Sequence, residues 1–206
     1  MSEEPAKESV VAPTWAPDGR VESADILFVG DTGFGESYRS AHNTGLDDLY
    51  DAPFSELQPL LSAADLVVAN LETVLTDRTD SPLDGKRPYL HKDDPVTGGQ
   101  SLVDHNIGAV TFANNHIMDM GEGGFLDTLS TLEDNGILYA GAGRDRNRAQ
   151  EPLRIVIPFT DGTEQGITVF AGFRTSSEFN ELTGSFATSD SPGCASLRTS
   201  TVTAQI

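Results

Sequence analysis

Cysteine is almost absent from this 206-residue chain, whose one cysteine is Cys194. A single cysteine cannot form a disulfide within the chain, and it excludes a metal site built from cysteine thiolates. Basic residues are also few, with 13 Lys and Arg against 32 Asp and Glu, for a formal net charge of −19. Nucleic acid and anionic lipid are repelled by a field of that sign, so we expect no nucleic-acid partner. Two explanations of the acidity stay open: adaptation to high salt, and an ordinary acidic surface.

Long apolar runs are missing as well. No run in the sequence approaches the ~20 residues that a membrane-spanning helix needs. The N-terminus lacks the basic and then apolar regions of a signal peptide, and its richness in Glu, Pro and Ala predicts a disordered leader over residues 1–24. We therefore expect one domain over residues 25–206 and, by default, a cytoplasmic location.

Short apolar, β-prone runs alternate with helical patterns along the rest of the chain. This alternation predicts βαβ units and a largely parallel sheet in an α/β fold, followed by a hairpin. A long polar loop is predicted over residues 76–95. The predicted strands are 26–29, 66–69, 109–113 and 138–140, the predicted helices are 54–64, 99–106 and 123–135, and the hairpin strands are 153–159 and 166–173.

Polar residues that can bind metal follow three of the predicted strands. Asp31 ends the first, Glu72 follows the second, and Asn115 with His116 follows the third. Because parallel strands place their carboxyl ends at one edge of a sheet, we expect these side chains to lie near one another. Each alone is common as a turn or capping residue, but their coincidence at one edge favours a site. Oxygen donors joined by imidazole suit Mn, Mg, Zn or Fe.

Four short motifs occur in order: GD at 30–31, NLET at 70–73, ANNH at 113–116 followed by Asp119 and Gly121, and GAGR at 141–144. As an ordered set they resemble the motifs of the CapA, or poly-γ-glutamate capsule synthesis, family, from residue 25 to the end of the chain. The resemblance implies the fold of the calcineurin-like metallophosphoesterases. That fold is a four-layer α/β/β/α sandwich with a site for two divalent metal ions.

The resemblance also implies roles for individual residues. Asp31 would be the first metal ligand, Glu72 would replace the bridging acidic ligand, and Asn115 would bind the second metal. His116 would be the general acid or the transition-state stabiliser. Asp119 would orient His116, or would instead cap the following turn.

Two motifs of the family are missing. The family continues with a His-Trp-Gly type motif and a Gly-His-His-Pro-His type motif, which supply the remaining imidazole ligands, and this sequence contains neither. We therefore expect the chain to be an N-terminal portion, incomplete at the C-terminal end of the sandwich and inactive as a fragment. Of the other histidines, His42 and His105 are interpreted as solvated or capping residues. His91, in the long loop, is interpreted as a loop residue or a substrate contact.

Two functions remain open from the sequence. The first is a metal-dependent, phosphoesterase-like hydrolase that acts on a small-molecule or polymer substrate in capsule or poly-γ-glutamate synthesis. The second is a non-catalytic capsule-assembly subunit with a structural metal site. Capsule-synthesis membrane subunits are the candidate protein partners under either hypothesis.

Overall fold

The computed structural model describes residues 20–34 and 48–197. Helices in these ranges are α1 Asp48–Asp51, α2 Gln58–Leu61, α3 Pro95–Asp104, α4 Gly121–Asp134, α5 Arg146–Gln150 and α6 Ser177–Thr183, with a 3-10 turn at Ala52–Phe54. The strands are β1 Ile26–Thr32, β2 Leu66–Leu71, β3 Val74–Leu75, β4 Lys92–Asp93, β5 Ile107–Thr111, β6 Leu138–Ala140, β7 Ala142–Gly143, β8 Leu153–Pro158, β9 Glu164–Val169 and β10 Gly193–Cys194.

A parallel sheet in the order β1-β2-β5-β6 forms the centre of the fold. The predicted α/β fold with a parallel sheet is thereby confirmed. Strand β2 has β1 on one side and β5 on the other, and Leu66 to Ala69 are all buried. A strand that is buried on both faces needs apolar residues at every position, which is why β2 reads as a continuous apolar run in the sequence.

The two faces of this sheet pack against different elements. Val67 and Ala69 point to the face covered by α3 and α4, where they join a cluster with Leu102 and Phe125. The alternate positions of β2, Leu66 and Val68, pack instead with residues of β8 such as Ile155. This alternation follows from the two-residue repeat of a strand, so β2 contributes to both cores of the domain.

Short pairings complete the β-structure. Strands β8 and β9 form the antiparallel hairpin that the sequence predicts, with Leu153 opposite Val169. Strand β3 pairs with β4 in parallel, and β7 pairs with β10 in antiparallel orientation. Strand β4 lies inside the segment 76–95, which the sequence predicts to be a loop. Its pairing with β3, the strand that follows β2, holds this segment against the rest of the domain.

The helix ends have local causes. Helix α3 begins at Pro95 because Asp94 caps it, accepting a 2.8 Å hydrogen bond from the backbone N–H of Thr97. Helix α4 ends before Gly136, whose φ of 68° is accessible to glycine at little cost. The sequence predicted the end of this helix at residue 135, one residue beyond the observed end at Asp134.

Two helix predictions were wrong in extent. The helix predicted over 54–64 is divided into the 3-10 turn and the single turn of α2, because Pro59 lacks an N–H and is tolerated only at a helix start. The helix predicted over 99–106 begins four residues earlier, at Pro95. None of the helices in the described ranges combines the length and the apolar character needed to cross a membrane.

The described residues include a short segment before the predicted domain boundary at residue 25. Val21 is buried, its N–H donates to the Pro158 carbonyl at 3.1 Å, and its own carbonyl accepts from Thr160 at 2.9 Å. Val21, inside the predicted leader, therefore packs against the hairpin. The rest of the predicted leader, residues 1–19, and His42 lie outside the described residues.

Candidate functional site

Asp31 and Glu72, two of the residues predicted at strand ends, are neighbours at the carboxyl edge of the sheet. Asp31 is paired in register with Asn70, and the N–H of Glu72 donates to the Thr32 carbonyl at 2.8 Å. The carboxylate of Asp31 accepts a 2.6 Å hydrogen bond from the side-chain amide of Asn70. Asp31 and Glu72 thus leave neighbouring parallel strands side by side, with Asp31 exposed and Glu72 half-buried.

Asn114 fixes the turn that carries Asn115 and His116. Its side-chain N–H donates to the Leu71 carbonyl at 2.7 Å, and its side-chain oxygen accepts from the His116 N–H at 3.0 Å. The second bond is the local Asx-type turn that asparagine favours. Asn114 belongs to the ANNH motif, but no role was assigned to it from the sequence. An asparagine two residues before a candidate histidine is nevertheless a signal for such a turn.

His116 and Asp119 form a buried imidazole–carboxylate pair. The Nδ1 atom of His116 lies 2.6 Å from Oδ2 of Asp119, and the side chains are 9% and 0% exposed. The hydrogen bond that the sequence predicted between these residues is therefore present. A carboxylate on Nδ1 fixes the orientation of the ring and leaves Nε2 as the second functional nitrogen.

Arg87 compensates the buried charge of Asp119. Its Nη1 donates to the Asp119 carboxylate and, at 2.8 Å, to the Asn115 carbonyl. The guanidinium also lies over the ring of Phe179, 5.3 Å from its centroid. A buried carboxylate without a partner would be very costly, so Arg87 is needed where Asp119 is buried. Sequence reasoning missed Arg87, because a single arginine in a polar loop has no recognisable pattern.

His91 contacts Glu72, at the end of β2, and also His116, in the turn after β5. Its ring is parallel to that of His116, with centroids 3.7 Å apart and an interplanar angle of 1°. Its Nδ1 lies 2.9 Å from the Glu72 carbonyl oxygen, and its backbone N–H donates to Asp119 at 2.6 Å. Of the two interpretations open for His91 in the sequence, the position within the site favours a functional one.

A cleft of about 450 Å³ opens at this point of the sheet edge. It is lined by Arg87, Pro88, Tyr89, His91, Asn115 and His116. Tyr89 is 67% exposed, at the rim. The predicted loop thus supplies one wall of the cleft, and the turn after β5 supplies the other.

The metal hypothesis has partial support from the donor types. Asp31 and Glu72 offer carboxylates and Asn115 an amide oxygen, which are suitable ligands for hard divalent ions. Within residues 20–34 and 48–197, however, no group of three or more His, Cys, Asp or Glu side chains is arranged to hold a metal ion. The donors fit in kind but are too few in the described part of the chain to form a closed site.

Two other features are poor candidates for the site. Cys194 is buried, and desolvation by burial raises the pKa of its thiol to about 12, so a thiolate nucleophile is not available at neutral pH. A larger cleft of about 600 Å³ lies beside β6. Its charged side chains pair with one another, as Arg144 does with Glu133 at 3.2 Å, and no imidazole lines it.

His105 has a structural role in the core. It follows the last residue of α3, and its Nδ1 lies 2.7 Å from the Ser101 carbonyl oxygen. Its ring stacks on Phe54 with centroids 4.3 Å apart, and the residue is 7% exposed. The capping interpretation is thus correct for His105, and the solvated one is not.

The fold and the site together define a class of protein: an α/β domain with an imidazole–carboxylate pair and acidic residues at the carboxyl edge of a parallel sheet. Comparison with known families gives the particular one. The model described as "Bacterial capsule synthesis protein PGA_cap" matches residues 25–206, and the chain belongs to this family. The resemblance found in the four sequence motifs is confirmed.

Each individual relative matches a shorter stretch of the chain than the family model does. The chain is similar to the PGA biosynthesis protein CapA of Bacillus subtilis, with 28% identity over 141 residues, 66% of this chain and 36% of CapA. It is 30% identical over 132 residues to y4sH of Sinorhizobium fredii, 63% of this chain and 27% of y4sH. It is 31% identical over 109 residues to the "Probable polyglutamine synthesis accessory protein Rv0574c" of Mycobacterium tuberculosis, 51% of this chain and 27% of that protein. The matched regions therefore span 27% to 36% of these relatives' lengths.

Proposed function

We propose that the chain carries part of the active site of a metal-dependent, phosphoesterase-like hydrolase of capsule or poly-γ-glutamate synthesis. The observation that carries the proposal is the buried pair of His116 and Asp119, joined at 2.6 Å beside a cleft at the carboxyl edge of the sheet. In this pair Asp119 holds the imidazole, and His116 donates a proton to the leaving-group oxygen of the substrate. A proton donor in this position would assist the departure of the leaving group if an ester is cleaved.

Asp31, Glu72 and Asn115 are the proposed ligands for two divalent ions, which would be Mn, Mg, Zn or Fe. When bound, such ions polarise the scissile group and supply a metal-activated water. The donor types support this assignment, and the pairing of Asp31 with Asn70 at 2.6 Å holds the first carboxylate at the sheet edge. The proposal requires further ligands from outside the described residues, since no complete group lies within them.

The four-layer α/β/β/α sandwich is part of the same proposal. Packing of Ile155 and Ile157 of β8 against Val68 of the parallel sheet supports it, because this places β-structure on one face of that sheet. Helices α3 and α4 pack on the other face through Leu102 and Phe125. This packing of the hairpin and of the helices on opposite faces supports the proposed sandwich, in which an outer helical layer would cover the hairpin.

The substrate is proposed to be a small molecule or polymer of the capsule pathway. The names of two relatives support this association, since one is a "PGA biosynthesis protein" and another a "polyglutamine synthesis accessory protein". These names state a pathway and no reaction. The hydrolase proposal therefore depends on the chemistry of the site.

A second candidate function is a non-catalytic capsule-assembly subunit. Its structural metal site would use the same ligands, and this function is supported by the name of one relative, a "polyglutamine synthesis accessory protein". In such a subunit the buried ion pair of Arg87 and Asp119 would stabilise the fold and have no part in catalysis. Metal content and turnover distinguish the two functions.

The experiment uses the natural full-length protein with Asp31→Ala and Glu72→Ala variants. Bound metal is measured by elemental analysis, and hydrolysis of an aryl phosphate and an aryl phosphodiester is measured with added Mn²⁺. We expect both variants to lose metal and turnover together, whereas Asp161→Asn, in the hairpin turn, should retain both. Unchanged metal content in both variants would contradict the ligand assignment. A metal-loaded protein with no turnover on either ester would favour the assembly subunit.

A further inference from the structure

The cleft beside His116 differs in charge from the chain as a whole. The chain has 32 Asp and Glu and a formal net charge of −19. None of the described residues that line this cleft is an acid, and one of them, Arg87, is a permanent cation. The larger cleft beside β6, by contrast, has Glu133 and Glu151 in its wall. A negatively charged ligand therefore meets a guanidinium and no carboxylate in the described wall of the cleft beside His116.

Arg87 has donors that the fold does not use. Of the five N–H groups of a guanidinium, the two on Nη1 donate to the Asp119 carboxylate and to the Asn115 carbonyl. No acceptor for Nε or Nη2 lies within residues 20–34 and 48–197. The one sealed side-chain nitrogen or oxygen without a partner in these ranges is Oε1 of Gln58. Nε and Nη2 of Arg87 are therefore in contact with solvent, on a side chain that lines the cleft.

The burial of Asp119 determines which end of the ion pair a ligand meets. The Asp119 side chain is 0% exposed, whereas that of Arg87 is 12% exposed and lines the cleft. The carboxylate thus neutralises the guanidinium from the protein side, and neither of its oxygens is at the surface of the cleft. An incoming anion meets N–H donors, in a partly buried position where charge-assisted hydrogen bonds are strong.

The cleft fits the leaving group of the substrate better than the scissile group. In the proposed function the scissile group lies at Asp31 and Glu72, and neither residue is in the wall of the cleft. His116, which faces the leaving-group oxygen, is in that wall. Arg87 and His116 contact opposite oxygens of Asp119, so a single carboxylate separates the guanidinium from the imidazole. An anion bound to Arg87 therefore lies a few bonds away from the leaving-group oxygen.

We propose that Arg87 is a specificity-determining residue that binds an oxyanion of the leaving group, a carboxylate in the simplest case, through Nε and Nη2. These two nitrogens form one edge of the planar guanidinium, and their parallel N–H groups suit the two oxygens of a carboxylate. This inference rests on the proposed function, which places the leaving group at His116. The cleft then selects phosphate esters of hydroxy acids over esters of uncharged alcohols.

The test compares two phosphate esters of equal size, those of 3-hydroxypropanoate and 3-hydroxypropanamide, on the natural full-length protein with added Mn²⁺. The esters differ in that an amide replaces the carboxylate. Arg87→Lys keeps a cation for Asp119 and removes the paired N–H groups. Arg144→Lys is the matched control, since Arg144 pairs with Glu133 at 3.2 Å beside the other cleft.

We expect the wild-type protein to prefer the carboxylate ester by roughly ten- to hundredfold in kcat/KM, the range for a hydrogen bond to a charged group, with most of the difference in KM. Without the contact to Arg87, the negative field of the chain would favour the amide ester. Arg87→Lys should lose the preference, and Arg144→Lys should keep it. If Arg87 only positions Asp119 and Asn115, Arg87→Lys lowers kcat for both esters equally and keeps their ratio. That result, or a wild-type protein without the preference, overturns the proposal.

A second measurement needs neither turnover nor a variant. The ¹H–¹⁵N resonance of the Arg87 Nε–H group reports on its hydrogen bonding. We expect it to shift on addition of 3-hydroxypropanoate and not on addition of 3-hydroxypropanamide. Hydrolysis of both esters at equal rates with no selective shift would retain the hydrolase function and refute the anion site. A selective shift in a protein that hydrolyses neither ester would instead refute the hydrolase function and retain the anion site.

Discussion

Arg87 donates to the carboxylate of Asp119 inside the candidate site, and the two side chains are 12% and 0% exposed. The same guanidinium bonds the Asn115 carbonyl at 2.8 Å. Asp119 in turn accepts from His116 Nδ1 and from the His91 N–H, each at 2.6 Å. One buried ion pair therefore fixes the positions of three residues that line the cleft.

Replacing Arg87 should destabilise the protein strongly. In Arg87→Met the Asp119 carboxylate stays buried without its cation, a situation that costs about 3–5 kcal/mol. Urea denaturation measures the loss. The control is Arg78→Met, since Arg78 pairs with Asp127 at 2.7 Å on the surface, with side chains 51% and 35% exposed, and its loss should change stability little. Equal effects of the two substitutions would show that burial of Asp119 does not determine the cost.

The cap of α3 should make stability depend on pH in the acid range. The backbone N–H of Thr97 bonds the Asp94 carboxylate and holds its pKa below the ordinary value of about 3.9. A carboxyl with a lowered folded-state pKa stabilises the fold above the unfolded value, and this contribution is lost as the pH falls through the folded value. Asp94→Asn keeps a capping oxygen without the charge.

We therefore expect wild type to be more stable than Asp94→Asn above about pH 4, with a difference that disappears at lower pH. Asp94→Ala, which removes the cap, should cost about 1 kcal/mol at neutral pH. Urea denaturation over a pH series measures both quantities. A wild-type advantage that stays constant down to the most acidic points would contradict the assigned cause of the shift.

The sheet could be predicted from the sequence because its strands are short apolar runs, of which the inner strand β2 is buried on both faces. Strands β2 and β5 were found within two residues of their ends. The helix over 54–64 was wrong because apolar spacing was given more weight than Pro59. The pairing of β4 with β3 was missed, since two residues of polar sequence, Lys92 and Asp93, carry no strand pattern and are fixed by tertiary contacts.

The site could be predicted only where a residue follows a strand. Asp31, Glu72 and His116 come within a few residues of the apolar runs, so their positions at one edge follow from the parallel sheet. Arg87 and His91 come from a segment whose path no local pattern determines. Their positions depend on the burial of Asp119 and on the stack with His116, and both are contacts between residues distant in sequence.

Gly143, in the GAGR motif, lies where a side chain does not fit. A Cβ at this position would lie 2.5 Å from the backbone carbonyl carbon of Arg148, within α5. Moving the backbone atoms of a helix requires a shift of the whole turn, so Gly143→Ala should lower the free energy of unfolding by about 1–3 kcal/mol. Gly166→Ala is the matched control, because nothing lies within 4 Å of its added Cβ. Thermal denaturation of the two variants compares the costs, and a Gly143→Ala protein as stable as Gly166→Ala would show that α5 can shift.

The last prediction separates proton transfer from metal binding at His116. If His116 is the proton donor of the proposed hydrolase, His116→Ala should lower kcat by roughly 10²–10⁴-fold and leave bound metal unchanged. Asp119→Asn should also lower kcat, because both carboxylate oxygens now accept hydrogen bonds, one from Arg87 and the other from His116 Nδ1 and the His91 N–H. An asparagine has one such oxygen, so its NH2 group must face a donor on one side. Because Asp119 is buried and bound to Arg87, the kinetics need a parallel stability measurement, and His116→Ala, which leaves the Arg87 pair intact, is the more direct test. Metal content and turnover of the natural full-length protein are measured on the same samples. A His116→Ala protein that loses metal but keeps its turnover per bound ion would identify His116 as a ligand and would leave the proton donor to another residue of the cleft.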